Sequence, residues 1–142
     1  MAKIQVLLVE DSAVAIDIYE KMLDSSPHIE VVGKAKNGKE GLNLVFKLHP
    51  DVICTDLQMP EMDGWEFTKQ VMAHHPTPIL VLSNYVQKDD IDNIYQAMKA
   101  GAVDIMAKPT TALGGNTESI KNELIVKIRV LATKQVAPIP LE

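Results

Sequence analysis

Short apolar runs that alternate with helical patterns constrain the fold of this chain more than any other feature of its sequence. Four runs have the length of a strand and are apolar almost throughout, and a weaker fifth run shares their length: residues 4–9, 51–56, 78–83 and 102–107, then 29–35. Continuous apolar runs, unlike alternating ones, are typical of strands that are buried on both faces. We therefore expect the strands to lie inside the protein, with helices covering both sides.

Segments with apolar residues at helical spacing fill the gaps between these runs. They predict helices over residues 13–24, 38–48, 64–74, 88–100 and 117–134. Ser12 is placed to cap the first helix, Pro50 to end the second and Gly101 to end the fourth. Five βα units in strict alternation predict an α/β fold: a doubly wound, five-stranded parallel sheet with helices on both faces, of the flavodoxin-like (βα)5 type.

Composition narrows the class of protein. The chain has 142 residues, the length of one domain, and 46% of them are hydrophobic, which is enough for a core. Its 19 acidic residues outnumber 14 basic ones without any run of Lys and Arg, which disfavours direct binding to nucleic acid. No stretch has the length of a membrane span and no signal peptide is evident, so we expect a cytoplasmic protein with no membrane partner.

We assign structural rather than functional roles to the end of the chain and to the four histidines. We expect residues 1–134 to form one domain, and residues 135–142, which contain two prolines, to be the start of a linker or an appended tail. The four histidines, at positions 28, 49, 74 and 75, lie near predicted turns or helix ends. None has metal-ligand spacing with another ligand pair, so we expect all four to be surface residues.

Chemically reactive side chains occur where the predicted strands end. Glu10 and Asp11 follow the first strand, Asp56 closes the third, Ser83 closes the fourth and Lys108 follows the fifth. In a doubly wound sheet the carboxyl ends of the strands form the edge where ligands bind. Three carboxylates in one place repel one another unless a cation joins them, and oxygen ligands of this kind suit Mg²⁺.

These residues together predict a site for phosphoryl transfer. A carboxylate beside a divalent cation and a lysine can act as a nucleophile toward phosphorus, which makes Asp56 the candidate acceptor. The cation and the ammonium of Lys108 would neutralise the phosphoryl oxygens, and the hydroxyl of Ser83 would hydrogen-bond one of them. Such a site would form an aspartyl phosphate.

Four short motifs in this chain resemble the response-regulator receiver domain of two-component signalling. They are the acidic pair in LLVEDS, the acceptor in TDLQMPEMDG, the hydroxyl in VLSN and the lysine in AKP. The resemblance implies that Asp56 is the phosphoacceptor and that Glu10, Asp11 and Asp56 bind Mg²⁺, with the backbone carbonyl of Gln58 completing the protein's share. Many receivers have Asp at the position of Glu10, so the metal geometry is expected to differ slightly.

The resemblance extends to the switch that follows phosphorylation. Ser83 resembles the switch hydroxyl and Lys108 the phosphate-contacting lysine, whose bond to Pro109 is expected to be cis. The family usually has Tyr or Phe at the position of Ile105, and isoleucine cannot reproduce the inward swing of a ring. We hypothesise that Tyr85 replaces part of the coupling to the face formed by the fourth helix, the fifth strand and the fifth helix.

The resemblance implies a switch rather than an enzyme. A receiver takes a phosphoryl group from a histidine kinase and then changes a surface that controls an output domain or a partner protein. The face named above is where a dimer would form. Longer segments, among them NLVFKLHPDVICTDLQMPEMDGWEF and AGAVDIMAKP, resemble the receiver of chemotaxis protein-glutamate methylesterases. That resemblance implies a chemotaxis-type kinase and a catalytic domain beyond the linker, with this chain as the regulatory fragment.

Two other functions stay open at this point. The first is a phosphatase with Asp56 as its nucleophile; such phosphatases typically carry a second Asp two residues later, where this chain has Gln58. The second is a flavin or nucleotide module of similar shape, which the sequence EDSAV disfavours because a glycine-rich phosphate loop is expected there.

Overall fold

Five strands alternate with five helices along the chain. The computed structural model describes residues 2–59, 61–83, 88–109 and 117–141. In chain order the elements are β1 (Ile4–Val9), α1 (Ala13–Asp24), β2 (Ile29–Ala35), α2 (Gly38–Leu48), β3 (Val52–Asp56), α3 (Gly64–His74), β4 (Ile79–Ser83), α4 (Lys88–Ala100), β5 (Asp104–Ala107) and α5 (Thr117–Leu131). Every predicted strand and helix is present, and the largest difference is at α5, which ends at Leu131 instead of residue 134.

The five strands form one parallel sheet in the order β2-β1-β3-β4-β5. β1 pairs with β2 on one side and with β3 on the other, so the direction of winding reverses beside β1. In open α/β sheets ligands bind outside the carboxyl ends of the strands at this reversal. The predicted doubly wound α/β fold is confirmed. Its topology indicates that a ligand site lies at the carboxyl ends of β1 and β3.

Apolar layers cover both faces of the sheet. On one face α1 and α5 contribute the buried side chains of Tyr19 and Leu124, among others. On the opposite face α2, α3 and α4 contribute Val45, Phe67 and Ala97. Strands β3 and β4 are buried along their whole length, as their continuous apolar runs predict.

Local signals in the sequence set the ends of several helices. The Oγ of Ser12 accepts a hydrogen bond from the Ala15 N–H at 3.2 Å, which caps α1. His49 ends α2 in the left-handed conformation, with φ of 48°, and Pro50 follows it. Gly101 follows α4 with φ of 121°, a conformation that glycine adopts without steric cost.

The chain after α5 packs back against the domain. The backbone N–H of Ile139 donates a hydrogen bond to the Met72 carbonyl at 3.0 Å. The side chain of Ile139 lies over Gly101, where a Cβ would come within 2.9 Å of its Cδ1. The boundary at residue 134 stays a prediction. Within the described ranges, no helix combines the length and the apolar character needed to cross a bilayer.

Candidate functional site

Three carboxylates meet at the carboxyl ends of β1 and β3. Glu10 and Asp11 come directly after β1, and Asp56 is the last residue of β3. Each offers an oxygen that lies within 4.8 Å of the oxygens of the other two. Glu10 and Asp56 are buried, whereas Asp11 is exposed. Because β1 and β3 are hydrogen-bonded neighbours, the topology of the sheet itself gathers these acids.

Lys108 brings a positive charge into this cluster from the end of β5. Its Nζ lies 2.9 Å from Asp56 Oδ2 and 3.4 Å from Glu10 Oε1. The Lys108 side chain is 16% exposed, so water screens these ion pairs only weakly. One ammonium between two buried carboxylates offsets the repulsion that would otherwise separate them.

Ser83 and Gln58 lie at the same edge of the sheet. Ser83 ends β4 and is buried, and its carbonyl oxygen accepts a hydrogen bond from the Lys108 N–H at 2.9 Å. Gln58 lies two residues after Asp56, in the loop that leads to α3, with its side chain exposed. All six predicted site residues therefore lie at the ends of β1, β3, β4 and β5. The roles assigned to the Ser83 hydroxyl and the Gln58 carbonyl stay predictions.

The backbone around Asp56 fixes the orientation of its side chain. Asp56 Oδ1 accepts a hydrogen bond from the Leu57 N–H at 2.7 Å. The Leu57 carbonyl in turn accepts from the Gly64 N–H at 2.7 Å. A Cβ on Gly64 would overlap the Asp56 carbonyl oxygen, so the start of α3 packs directly on the backbone of Asp56. Only glycine permits this approach, which explains the glycine of the motif MPEMDG.

Glu10 is held by two donors that belong to α1 and its cap. The Tyr19 hydroxyl donates to Glu10 Oε1 at 3.3 Å, and the Ser12 N–H donates to Oε2 at 3.1 Å. Tyr19 is not among the site residues predicted from the sequence. One feature of the sequence could have pointed to Tyr19. It carries the only side-chain oxygen among the buried residues of α1, which are Ala15, Tyr19, Met22 and Leu23.

Burial and neighbouring charges shift two pKa values in the cluster. Burial raises the pKa of Glu10 to about 7; the charge of Asp56 and a hydrogen bond with Asp11 add to the rise, and Lys108 and the Ser12 N–H oppose it. Burial acts to lower the pKa of Lys108, but its hydrogen bond with Asp56 and the charges of Asp56 and Glu10 outweigh burial and raise it. The ammonium of Lys108 therefore stays protonated at neutral pH.

Two expectations about the switch concern the Lys108–Pro109 bond and the position of Ile105. The bond between Lys108 and Pro109 is trans, so the expectation of a cis bond is wrong. The isomers of such a bond differ by only about 0.5–1 kcal/mol, so the presence of proline does not decide between them. Ile105 packs against the layer of α2, α3 and α4, and its N–H donates to Asp104 Oδ1 at 2.8 Å. Tyr85, the hypothesised replacement, lies outside the described residues.

Comparison with known proteins places this geometry in a family. The family described as the response regulator receiver domain matches residues 6–113. The chain belongs to this family. A solved receiver, the response regulator domain of CheB from Thermotoga maritima, has a TM-score of 0.81 and is 34% identical, covering 94% of this chain and 98% of its own. The prediction of a receiver domain is therefore confirmed.

The receiver is also similar to parts of longer curated proteins. A protein-glutamate methylesterase/protein-glutamine glutaminase of Carboxydothermus hydrogenoformans is 39% identical over 93% of this chain. A protein of the same name from Methanococcus maripaludis is 43% identical over 91% of this chain. The receiver spans only 37% and 35% of the lengths of these two relatives. Its similarity to the receivers of chemotaxis methylesterases, predicted from the sequence, is confirmed.

Proposed function

We propose that this receiver accepts a phosphoryl group on Asp56 from a histidine kinase in the presence of Mg²⁺. The observation that carries the proposal is the ion pair of 2.9 Å between Lys108 Nζ and Asp56 Oδ2, inside a cluster that also contains Glu10 and Asp11. A nucleophile, a cation and further carboxylates in one partly buried edge are the components that transfer to an aspartate needs.

The transfer step follows from the positions of these side chains. An oxygen of the Asp56 carboxylate attacks phosphorus and forms a new P–O bond. The bond between phosphorus and the nitrogen of the kinase histidine breaks, and that nitrogen keeps the electron pair. Because the Leu57 N–H holds Asp56 Oδ1 at 2.7 Å, the carboxylate needs little reorientation before it attacks. Lys108 then lies within reach of the oxygens that the transferred group brings.

The residues of the cluster fit Mg²⁺. This ion prefers oxygen ligands and is commonly bound by one or two carboxylates and several waters. We propose that Glu10, Asp11, Asp56 and the backbone carbonyl of Gln58 hold it, since three carboxylate oxygens already lie within 4.8 Å of one another. When bound, the ion supplies charge neutralisation for the phosphoryl oxygens.

The proposed output is a change in a surface that binds another protein. The Ser83 hydroxyl would move to hydrogen-bond a phosphoryl oxygen. This movement would then change the positions of α4 and α5. Ile91 and Tyr95 on α4 and Val126 on α5 are large side chains that are more than half exposed. We propose this α4–β5–α5 face as the site for a dimer, an output domain or a partner protein.

The wider role follows from the similarity to methylesterases. We propose that the receiver is the regulatory part of a cytoplasmic, chemotaxis-type methylesterase, phosphorylated by a chemotaxis-type histidine kinase. In this role the receiver has no substrate of its own beyond gaining and losing the phosphoryl group. A phosphatase that uses Asp56 is the second candidate, and Gln58 disfavours it because an acid is expected at that position.

Acetyl phosphate with Mg²⁺ tests the proposal directly, with intact mass as the readout. We expect one added phosphoryl group, which is absent without Mg²⁺ and absent in Asp56→Ala. Asp51→Asn is the matched control, because Asp51 is exposed just before β3 and its carboxylate binds the Gln5 N–H instead of the cluster. An unmodified wild-type protein, or an adduct that survives Asp56→Ala, contradicts the proposal. Multiple turnovers on a phosphate ester identify the phosphatase.

A further inference from the structure

Two histidines are in contact at the end of the sheet opposite the carboxylate cluster. His49 caps the carboxyl end of α2 and His75 caps the carboxyl end of α3. Their Nδ1 and Nε2 atoms lie 3.1 Å apart, and their ring centroids lie 4.6 Å apart. His49 is exposed, as expected, whereas His75 is half-buried. The contact between them could not be predicted from their spacing in the sequence. The two residues meet because α2 and α3 pack side by side on one face of the sheet.

We propose that His49 and His75 together bind one divalent transition-metal ion, with Cu²⁺ tighter than Ni²⁺ or Zn²⁺. An imidazole nitrogen binds such an ion at about 2.0–2.1 Å, so two nitrogens on one ion lie roughly 3 Å apart. The observed 3.1 Å between the two nitrogens matches this separation before any ion is bound. The two ring planes are inclined by 52°, so the rings are not stacked face to face.

The position of the pair favours a cation. The backbone N–H groups of His49 and His75 bond to the carbonyls of Val45 and Val71, so both rings project from the last turns of their helices. The carboxyl end of a helix carries a partial negative charge, and two such ends meet here. His49 is also fixed in the left-handed conformation, with φ of 48°, which limits the positions its ring can take.

The chemistry of this site differs from that of the carboxylate cluster. Imidazole nitrogens select Cu²⁺, Ni²⁺ and Zn²⁺, whereas carboxylates and water suit Mg²⁺. A simple hydrogen bond between two neutral rings would explain the same contact without any metal. The two explanations predict different stoichiometry and different numbers of nitrogen ligands. The proposal does not depend on phosphoryl transfer to Asp56.

Titration of the chelator-treated protein with Cu²⁺ tests the site, in excess Mg²⁺ so that the carboxylates are occupied. We expect one ion per chain by calorimetry and two nitrogen ligands by electron paramagnetic resonance. His49→Asn keeps the left-handed backbone that Asn tolerates, and His75→Ala removes the other ring. Each variant is expected to weaken binding about tenfold or more, because the second ligand of a chelate acts at high effective concentration.

Two control variants make the outcome decisive. His28→Ala removes an exposed histidine near the start of β2 and is expected to bind as wild type does. Asp11→Asn alters the carboxylate cluster and is also expected to leave this binding unchanged. The proposal is overturned if His49→Asn and His75→Ala bind like wild type, if Asp11→Asn abolishes binding, or if the spectrum shows a single nitrogen. Circular dichroism of each variant separates lost binding from lost folding.

Discussion

The Tyr19 hydroxyl donates a hydrogen bond to Glu10 Oε1 across 3.3 Å, and the same oxygen lies 3.4 Å from Lys108 Nζ. Glutamate is longer than the aspartate that many receivers carry at this position, so its carboxylate has more positions available. Tyr19, which belongs to α1, limits the positions of the Glu10 carboxylate through Oε1. The Ser12 N–H limits them through Oε2. In the proposed Mg²⁺ site, Tyr19 and Ser12 would orient the Glu10 carboxylate without touching the ion.

Tyr19→Phe is expected to weaken Mg²⁺ binding roughly tenfold, the lower end of the loss seen when such a supporting hydrogen bond is removed. The ring stays in the core, so folding is expected to survive. Calorimetric titration with Mg²⁺ measures the change. Tyr95→Phe is the matched control, because Tyr95 is an exposed tyrosine on α4. Equal Mg²⁺ affinity in Tyr19→Phe and wild type would show that Tyr19 only fills space.

Glu10 is expected to make the stability of the metal-free protein depend on pH. The unfolded chain releases the Glu10 proton near pH 4.5, and the folded protein keeps it up to about pH 7. Between these values the folded state binds more protons, so the free energy of unfolding falls as the pH rises. Glu10→Gln removes this contribution and is expected to be more stable than wild type at pH 8.

Urea unfolding in EDTA between pH 5 and pH 8 measures this slope. Glu30→Gln, at an exposed position on β2, is expected to keep the wild-type slope. A Glu10→Gln variant that loses stability as steeply as wild type over this range would show that the burial of Glu10 does not control the pH dependence.

Part of this site follows directly from the sequence. Strand ends can be read from apolar runs, and the parallel topology then places Glu10, Asp56 and Lys108 at one edge, where the structure has them. Ser12 and Gly101 likewise mark helix ends through local chemistry alone. These features depend on a residue and its near neighbours, so the sequence is sufficient.

Other features depend on how whole elements pack. Helical periodicity places Tyr19 on the buried face of α1, but its hydrogen bond to Glu10 depends on how α1 is rotated over the sheet. The contact of His49 with His75 depends on the separation of α2 and α3. The Lys108–Pro109 isomer depends on a small free-energy difference that surrounding contacts decide, which is why the expectation from family resemblance was wrong.

Lys108→Met is expected to destabilise the metal-free protein by about 3 kcal/mol, because it leaves the buried carboxylates of Glu10 and Asp56 without their cation. Mg²⁺ is expected to recover part of this loss by supplying positive charge. Urea unfolding with EDTA and with Mg²⁺ measures both effects. Lys127→Met is the control: Lys127 pairs with Asp104 at 3.0 Å, but Asp104 is 42% exposed, so a loss below about 1 kcal/mol is expected. Equal losses in the two variants would contradict this account.

Gly64→Ala is expected to cost about 1–3 kcal/mol or more, because the added methyl group meets the backbone of Asp56 and not a movable side chain. The same displacement is expected to slow phosphorylation by acetyl phosphate. Gly33→Ala is the matched control, since its nearest atoms are the ends of the Leu48 and Leu7 side chains, which can move. Thermal unfolding and intact mass measure both variants. A smaller loss in Gly64→Ala than in Gly33→Ala would contradict the contact.

Ile139 tests whether the segment after α5 belongs to the folded domain. Its N–H bonds to the Met72 carbonyl and its side chain lies over Gly101, so Ile139→Ala is expected to lower stability by about 1 kcal/mol. Leu141→Ala is the control, because Leu141 is 41% exposed and Ile139 is 40% exposed. Thermal unfolding compares the variants, and hydrogen exchange reports the Ile139 amide, which is expected to be protected. If neither variant changes stability and the amide exchanges freely, residues 135–142 are a linker and the domain ends near residue 134.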